Sequence, residues 1–223
     1  MRKGIVFDLD DTLYKENEYR LSGFRTVSRH YAAACGISPE EAYSLMAANP
    51  DEAFETLIHL AAARGIEITV NDILQIYRTH LPDISLPAET VNVLTLLRKR
   101  GYMLGLITDG RVFGQLNKIA ALDIKRYMDP RFIIPTVMLD TDKHHSKPFT
   151  EMMSLMGEDV AMTYVGDNPA KDFHHPNLSG WRTIMLRDTT GVNVHRQNTE
   201  DYPVEFRPQT EITSLSQLLD IYN

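Results

Sequence analysis

Apolar residues along this chain change their spacing twice, and the changes divide it. Lys3 to Leu9 is a short run rich in β-branched and aromatic side chains, which predicts a buried strand. From about Glu16 to Asp83 the spacing becomes helical: Leu21, Phe24, Val27, Tyr31 and Ala34 recur every three or four positions and form one apolar stripe. Ser38-Pro39-Glu40-Glu41 has the form of a capping box with proline at the first helical position, and Asn49-Pro50-Asp51-Glu52 opens a further helix in the same manner. That helix carries Phe54, Leu57, Ile58, Leu60 and Ala61 and ends near Gly65. A further helix spans Asp72 to His80, and Leu81-Pro82-Asp83 breaks it. No strand pattern interrupts this stretch, so it reads as an all-helical insert.

Beyond it, strand and helix alternate. Ala88 to Arg100 predicts a helix stopped by Gly101, Tyr102 to Ile107 a strand, Val112 to Leu122 a helix and Ile133 to Leu139 a strand. Phe149 to Met156 predicts a helix ending at Gly157, Met162 to Val165 and Thr183 to Leu186 two strands, and Leu215 to Tyr222 a closing helix. Such alternation implies an α/β fold, a Rossmann-like parallel sheet with helices on both faces. The expected division is a core of residues 1–14 and 86–223 and a helical insert of residues 15–85. Asp188 to Thr210 is polar and weakly patterned, the kind of long loop that often serves function.

Composition narrows the function classes. With 223 residues, 43% of them hydrophobic, the chain is long enough for one sizeable core and a smaller insert. A formal net charge of −7 argues against a general nucleic-acid or anionic-membrane binder, which would need a basic face. A small anionic substrate stays open, because a metal ion can invert the charge of a local site. One cysteine, Cys35, excludes an intrachain disulfide or a multi-cysteine zinc site, and its apolar surroundings suggest a small buried side chain. No apolar run approaches the roughly 20 residues of a membrane span, and the chain opens on a strand rather than a secretory signal. The expectation is a reduced, soluble, cytoplasmic protein, monomer or homodimer.

In open parallel sheets, ligands bind outside the carboxyl ends of the strands. The polar clusters fall there: Asp8-Leu9-Asp10 after the first strand, Thr108-Asp109-Gly110 after a second, and Gly166-Asp167 after a third. Lys147, in Ser146-Lys147-Pro148, precedes a helix start. Carboxylates converging on one edge are costly without a cation, and an all-oxygen set suits Mg²⁺. Metal, lysine, hydroxyl and backbone N–H groups together would receive a phosphoryl group.

FDLDDTLY, LITDG, SKP and VGDNPAKD, in this order, resemble the four motifs of the haloacid dehalogenase superfamily, and the helical insert falls where one branch of it carries a mobile cap. The resemblance covers most of the chain and implies a phosphatase acting on a small phosphorylated metabolite, a sugar phosphate or nucleoside monophosphate. By it, Asp8 is the nucleophile and Asp10 the general acid and base. Asp8, the Asp10 backbone carbonyl and Asp167 hold Mg²⁺, and Asp172 orients waters or Lys147. Thr108, Asp109 and Gly110 form the phosphate-binding turn, and Lys147 neutralises charge on the transferring group. Two positions depart from the pattern: Asp109 where the family often has Asn, and Asp11, read as a turn residue, where many members have Gly.

Plainer accounts stand beside these. Asp8 and Asp10 alone would be a capped turn, Lys147 alone a solvated lysine, Asp172 alone a helix-cap or surface acid. His144-His145 and His174-His175 are poor chelates because adjacent side chains diverge. Arg25 and Arg29 read first as a solvated helix face, and the ten methionines as core filling. Among rival functions, a phosphonate-cleaving relative needs a Schiff-base lysine in the cap, and no lysine occurs between Glu16 and Asp83. A dehalogenase would lack the second acid. A phosphosugar mutase on the same core, or a binding protein without turnover, remains open.

Overall fold

In the computed structural model, which describes residues 2–223, strand β1 (Lys3–Phe7) lies inside a six-stranded sheet. It pairs with β2 (Met103–Thr108) on one side and β4 (Ala161–Gly166) on the other. Strand β3 (Ile133–Pro135) lies beyond β2, and β5 (Arg182–Leu186) and β6 (Thr210–Ile212) lie beyond β4. Every pairing is parallel and the order is β3-β2-β1-β4-β5-β6. The sequence of β1 fits its place. After Lys3 all its residues are buried, as a strand covered on both faces requires.

Methionines fill the space that two glycines leave. A Cβ on Gly4 would come within 2.8 Å of Met162 Sδ and 2.9 Å of Met156 Sδ. One on Gly105 would meet Met156 Cε at 2.8 Å. These thioethers belong to a core with Val6, Phe149, Tyr164 and Trp181, where flexible side chains occupy an irregular gap over the sheet.

The chain divides into two compact units, one of residues up to Asn17 with Ser85–Asn223, the other of Glu18–Ile84. Helix α1 (Glu16–Cys35) carries the chain from one into the other, and α2 (Pro39–Ala48), α3 (Ala53–Ala62) and α4 (Val70–Thr79) complete the second. Its core gathers Phe24 and Val27 of the predicted stripe with Met46, Leu57 and Ile73. Ser38 Oγ accepts from Glu41 N at 3.1 Å, as its position foretells. Asn49 instead donates to Glu52 Oε2 at 2.9 Å and leads into a 3₁₀ turn, Pro50–Glu52, before α3. The reciprocal capping box is that of Thr69 and Asp72.

The sheet unit is completed by α5 (Ala88–Lys99), α6 (Val112–Ala121), α7 (Lys147–Met156), α8 (His174–Leu178) and α9 (Leu218–Ile221). Four elements differ from expectation. The strand predicted over Ile133 to Leu139 stops at Pro135, which has no N–H for a ladder, and Thr136–Leu139 coils into a 3₁₀ turn. Helix α8 and strand β6 are too short for periodicity to reveal. The closing helix is split, with the 3₁₀ turn Leu215–Gln217 preceding α9. Among the described residues, no helix is long and apolar enough to cross a membrane.

Candidate active site

Asp8 continues the line of β1: its N–H donates to Val165 O at 2.9 Å, so the ladder with β4 holds the backbone of Asp8 beside the strand end. The chain then turns through Asp11, whose φ of 56° lies in the left-handed region that an Asp tolerates. Both Asp11 oxygens are used, Oδ1 by Glu16 N at 3.0 Å and Oδ2 by Val194 N at 2.9 Å. Asp11 is thus a hydrogen-bonded turn residue, as expected.

Asp8, Asp167 and Asp172 are buried, and a carboxylate oxygen from each lies within 4.8 Å of the others. The lysine among them is Lys143. Its Nζ stands 2.7 Å from Asp8 Oδ1 and 2.6 Å from Asp172 Oδ1, with no exposed surface. Lys147, the lysine favoured from the sequence, is outside this cluster. As the first residue of α7 it points back along the helix start, is exposed, and donates to Leu139 O at 2.6 Å. The turn before the helix carries Lys143 inward, and Asp109 Oδ1 fixes that turn by accepting from Lys143 N at 3.1 Å and Thr136 Oγ1 at 2.7 Å. The substituted carboxylate of Asp109 therefore bonds the lysine loop, and its other oxygen lies 3.5 Å from Lys171 Nζ.

Asp172 holds the end of β4. Its Oδ2 accepts from Asp167 N at 3.1 Å and Asn168 N at 2.9 Å. Gly166 makes this possible, because a Cβ there would come within 2.5 Å of Asp172 Oδ2. The carboxylate of Asp172 is spent on Lys143, the Tyr164 hydroxyl and two amides, which suits an orienting role. Asp167 is differently placed: its Oδ2 accepts from Asn193 Nδ2 at 3.4 Å.

Asp10 faces α6. Lys118 Nζ lies 2.8 Å from its Oδ1 and 2.9 Å from its Oδ2, Tyr14 OH donates to Oδ1 at 2.5 Å, and Gln115 Nε2 donates to Oδ2 at 3.2 Å. A contribution of Asp10 to a metal would therefore come from its main chain. Thr108 is buried at the end of β2, its hydroxyl donating to Gln115 Oε1 at 3.3 Å, and Gly110 follows Asp109 with φ of 145°.

Electrostatics separate these groups. Burial raises Asp8 to about 6 despite the opposing Lys143 ammonium, with Asp172 adding to the rise. Burial, then Asp172, Asp8 and Asp11, push Asp167 up to about 9. For Asp10, burial is outweighed by Lys118 and its hydrogen bonds, so the carboxyl stays below the ordinary range. Burial alone would discharge Lys143, but Asp172 and Asp8 hold it well above the usual lysine value. Without a cation Asp167 keeps its proton at neutral pH; fully ionised, the three carboxylates against one ammonium would carry two negative charges, and an all-oxygen set of that charge fits a divalent Mg²⁺.

The histidine pairs do not assemble a metal site. His174 stacks on Phe206, with ring centroids 4.2 Å apart, and His175 Nε2 meets His144 O at 2.8 Å. Sequence reasoning missed Lys143, Gln115 and Lys118. For the last two a signal existed: they lie with Ile119 on the buried side of α6, where a lysine has no place unless it is paired.

The family model of haloacid dehalogenase-like hydrolases matches residues 5–186, and the chain belongs to that family of enzymes. The glyceraldehyde 3-phosphate phosphatase of Methanocaldococcus jannaschii is 27% identical over 231 residues, covering 99% of this chain and 97% of that relative. Pyrophosphatase PpaX of Bacillus pumilus is 27% identical over 226 residues, covering 97% of this chain and 94% of its own. Among solved structures, the HAD-hydrolase YfnB from Bacillus subtilis, bound to magnesium, superposes with a TM-score of 0.66 at 17% identity, covering 100% of this chain and 99% of that one.

Proposed function

We propose that the chain is a Mg²⁺-dependent phosphatase that hydrolyses a small phosphate monoester through a phosphorylated Asp8. The observation that carries this reading is the Asp8–Lys143–Asp172 ion-pair chain beside Asp167 at the carboxyl ends of β1 and β4. Asp8 Oδ1 faces the ammonium, while no described residue donates to Oδ2, so one carboxylate oxygen is left for attack. Asp8, Asp167 and the main-chain oxygen of Asp10 are the assigned Mg²⁺ ligands. Bound there, the ion would neutralise the carboxylates and the phosphoryl oxygens they must approach.

Each residue then has a task. Asp8 attacks phosphorus as the ester bond to the leaving oxygen breaks. Lys143, rather than Lys147, compensates charge on the transferring group, and Thr108 with the backbone of Asp109 and Gly110 donates to its oxygens. Asp10, ionised beside Lys118 in the resting site, first takes a proton, which a phosphate monoanion can supply; it gives that proton to the leaving oxygen and later takes one from the water that attacks the phosphorylated Asp8. Asp172 keeps Lys143 and the Asp167 backbone in place. The names of the curated relatives favour a triose phosphate as the starting substrate, with pyrophosphate, a phosphoanhydride, as a second candidate. The setting is a reduced cytoplasm, compatible with one buried, free Cys35.

The test is phosphate release from glyceraldehyde 3-phosphate, sugar phosphates, nucleoside monophosphates and pyrophosphate, with Mg²⁺ and with EDTA. Release that requires Mg²⁺ and is lost in Asp8→Asn is expected. A folded protein that binds Mg²⁺ yet releases phosphate from none of them would move the reading to a mutase or a binding role.

A further inference from the structure

Gln115 holds three groups with one amide. Its Nε2 donates to Asp109 O at 2.7 Å and Asp10 Oδ2 at 3.2 Å, and its Oε1 accepts from Thr108 Oγ1 at 3.3 Å. It is 4% exposed, so its own amide makes these bonds away from bulk water. The space it fills exists because residue 110 is glycine: a Cβ there would overlap the Gln115 amide. One helical turn on, Lys118 takes both oxygens of the same Asp10. With Tyr14, four donor contacts fix the plane of that carboxylate, and one of them must give way when Asp10 carries the proton it delivers.

We propose that Gln115 is a positioning residue, which ties the acid Asp10 to the phosphate-binding turn so that proton delivery and phosphate binding share one geometry. The proposal rests on the phosphatase reading and deepens it. Gln115 is neutral, so its removal changes the aim of Asp10 more than its charge. A displaced Asp10 matters most where the departing oxygen needs a proton as the P–O bond breaks. An alkoxide leaving group needs it; a p-nitrophenolate leaves without it.

The experiment compares kcat/KM for glycerol 3-phosphate and p-nitrophenyl phosphate, with Mg²⁺, in wild type, Gln115→Leu, Asp10→Asn and the double variant. Gln115→Met repeats the comparison if Gln115→Leu does not fold. The expected result is a loss of about tenfold or more on glycerol 3-phosphate and less than about threefold on p-nitrophenyl phosphate. Added to Asp10→Asn, Gln115→Leu should cost less than about threefold more, because it acts through Asp10. Equal losses on both substrates, or losses that multiply in the double variant, would overturn the positioning role while leaving the phosphatase reading intact. A wild-type protein that releases phosphate from neither ester nor any member of the panel above would instead overturn the phosphatase reading, and this inference with it.

Discussion

Lys143 Nζ lies 2.7 Å from Asp8 Oδ1 and 2.6 Å from Asp172 Oδ1, entirely buried, so one ammonium links the end of β1 to the turn after β4. Removing it leaves two buried carboxylates facing each other without compensation. Breaking a buried pair in this way costs about 3–5 kcal/mol, several times the value of an exposed ion pair.

Lys143→Met should therefore be destabilised by about that amount at neutral pH and lose about a thousandfold or more in kcat. Lys147→Ala removes only an exposed helix-start contact to Leu139 O, and should stay within about twofold of wild type. Urea unfolding and steady-state kinetics on both variants check this. The opposite ranking would return the catalytic lysine to the Ser-Lys-Pro motif.

A methyl group at Gly166 should act at a distance of one residue. Its Cβ would displace the Asp172 carboxylate and weaken the bonds to Asp167 N and Asn168 N. Gly166→Ala is expected to lose about 2–4 kcal/mol, the range for two charge-assisted hydrogen bonds. Isothermal titration should also show weaker Mg²⁺ binding. Unchanged stability with unchanged Mg²⁺ affinity would show that the Asp172 contacts are dispensable.

Glu16 gives a pH prediction. Burial raises it to about 7, with Asp10, Asp11 and Asp8 adding repulsion and Lys118, 3.9 Å away, opposing them. A carboxyl whose folded value is raised holds its proton more tightly in the folded state, so stability falls as pH rises from about 4.5 to 7. Glu16→Gln removes that loss. In EDTA it should raise the melting temperature by about 2–5 °C at pH 8 and by little at pH 4.5, after allowance for its partial exposure. Equal shifts at both pH values would mean that Glu16 does not titrate in this window.

Within the helical unit, Gly23 sits on α1 where a Cβ would overlap the Tyr77 ring. Alanine improves helix propensity by about 0.8–1 kcal/mol, but overpacking costs about 1–3 kcal/mol. Gly23→Ala should thus be destabilised, by about 1 kcal/mol, in thermal or denaturant unfolding. A more stable variant would show that the ring moves aside without cost.

Much of this was legible in the chain because periodicity and punctuation agreed. The run before Asp8 reads as a buried strand and is one, and Gly101 and Gly157 mark helix ends at which φ turns positive. The convergence of Asp8, Thr108 and Asp167 follows from parallel strands sharing their carboxyl ends. What stayed hidden depends on contacts between distant segments. Two lysines stand four positions apart around the start of α7, and the bond from Lys143 N to Asp109 holds the one that turns inward. Strand β6 exists because β5 offers it a ladder, and three residues carry no period of their own. The polar segment after Asp188 has no pattern because its order comes from elsewhere: Lys15 binds Asp188 and Asn193, and Gln197 reaches the backbone of Asp167.

The central claim is that Asp8 itself takes the phosphoryl group. Wild type and Asp8→Asn would be mixed with the best substrate and Mg²⁺, quenched in acid within a turnover, digested and examined by mass spectrometry. A single added phosphoryl group on the peptide containing Asp8, present in wild type and absent in Asp8→Asn, is the result this account predicts. Phosphate release that persists in Asp8→Asn, or a wild-type protein that turns over without ever carrying phosphate on Asp8, would contradict it.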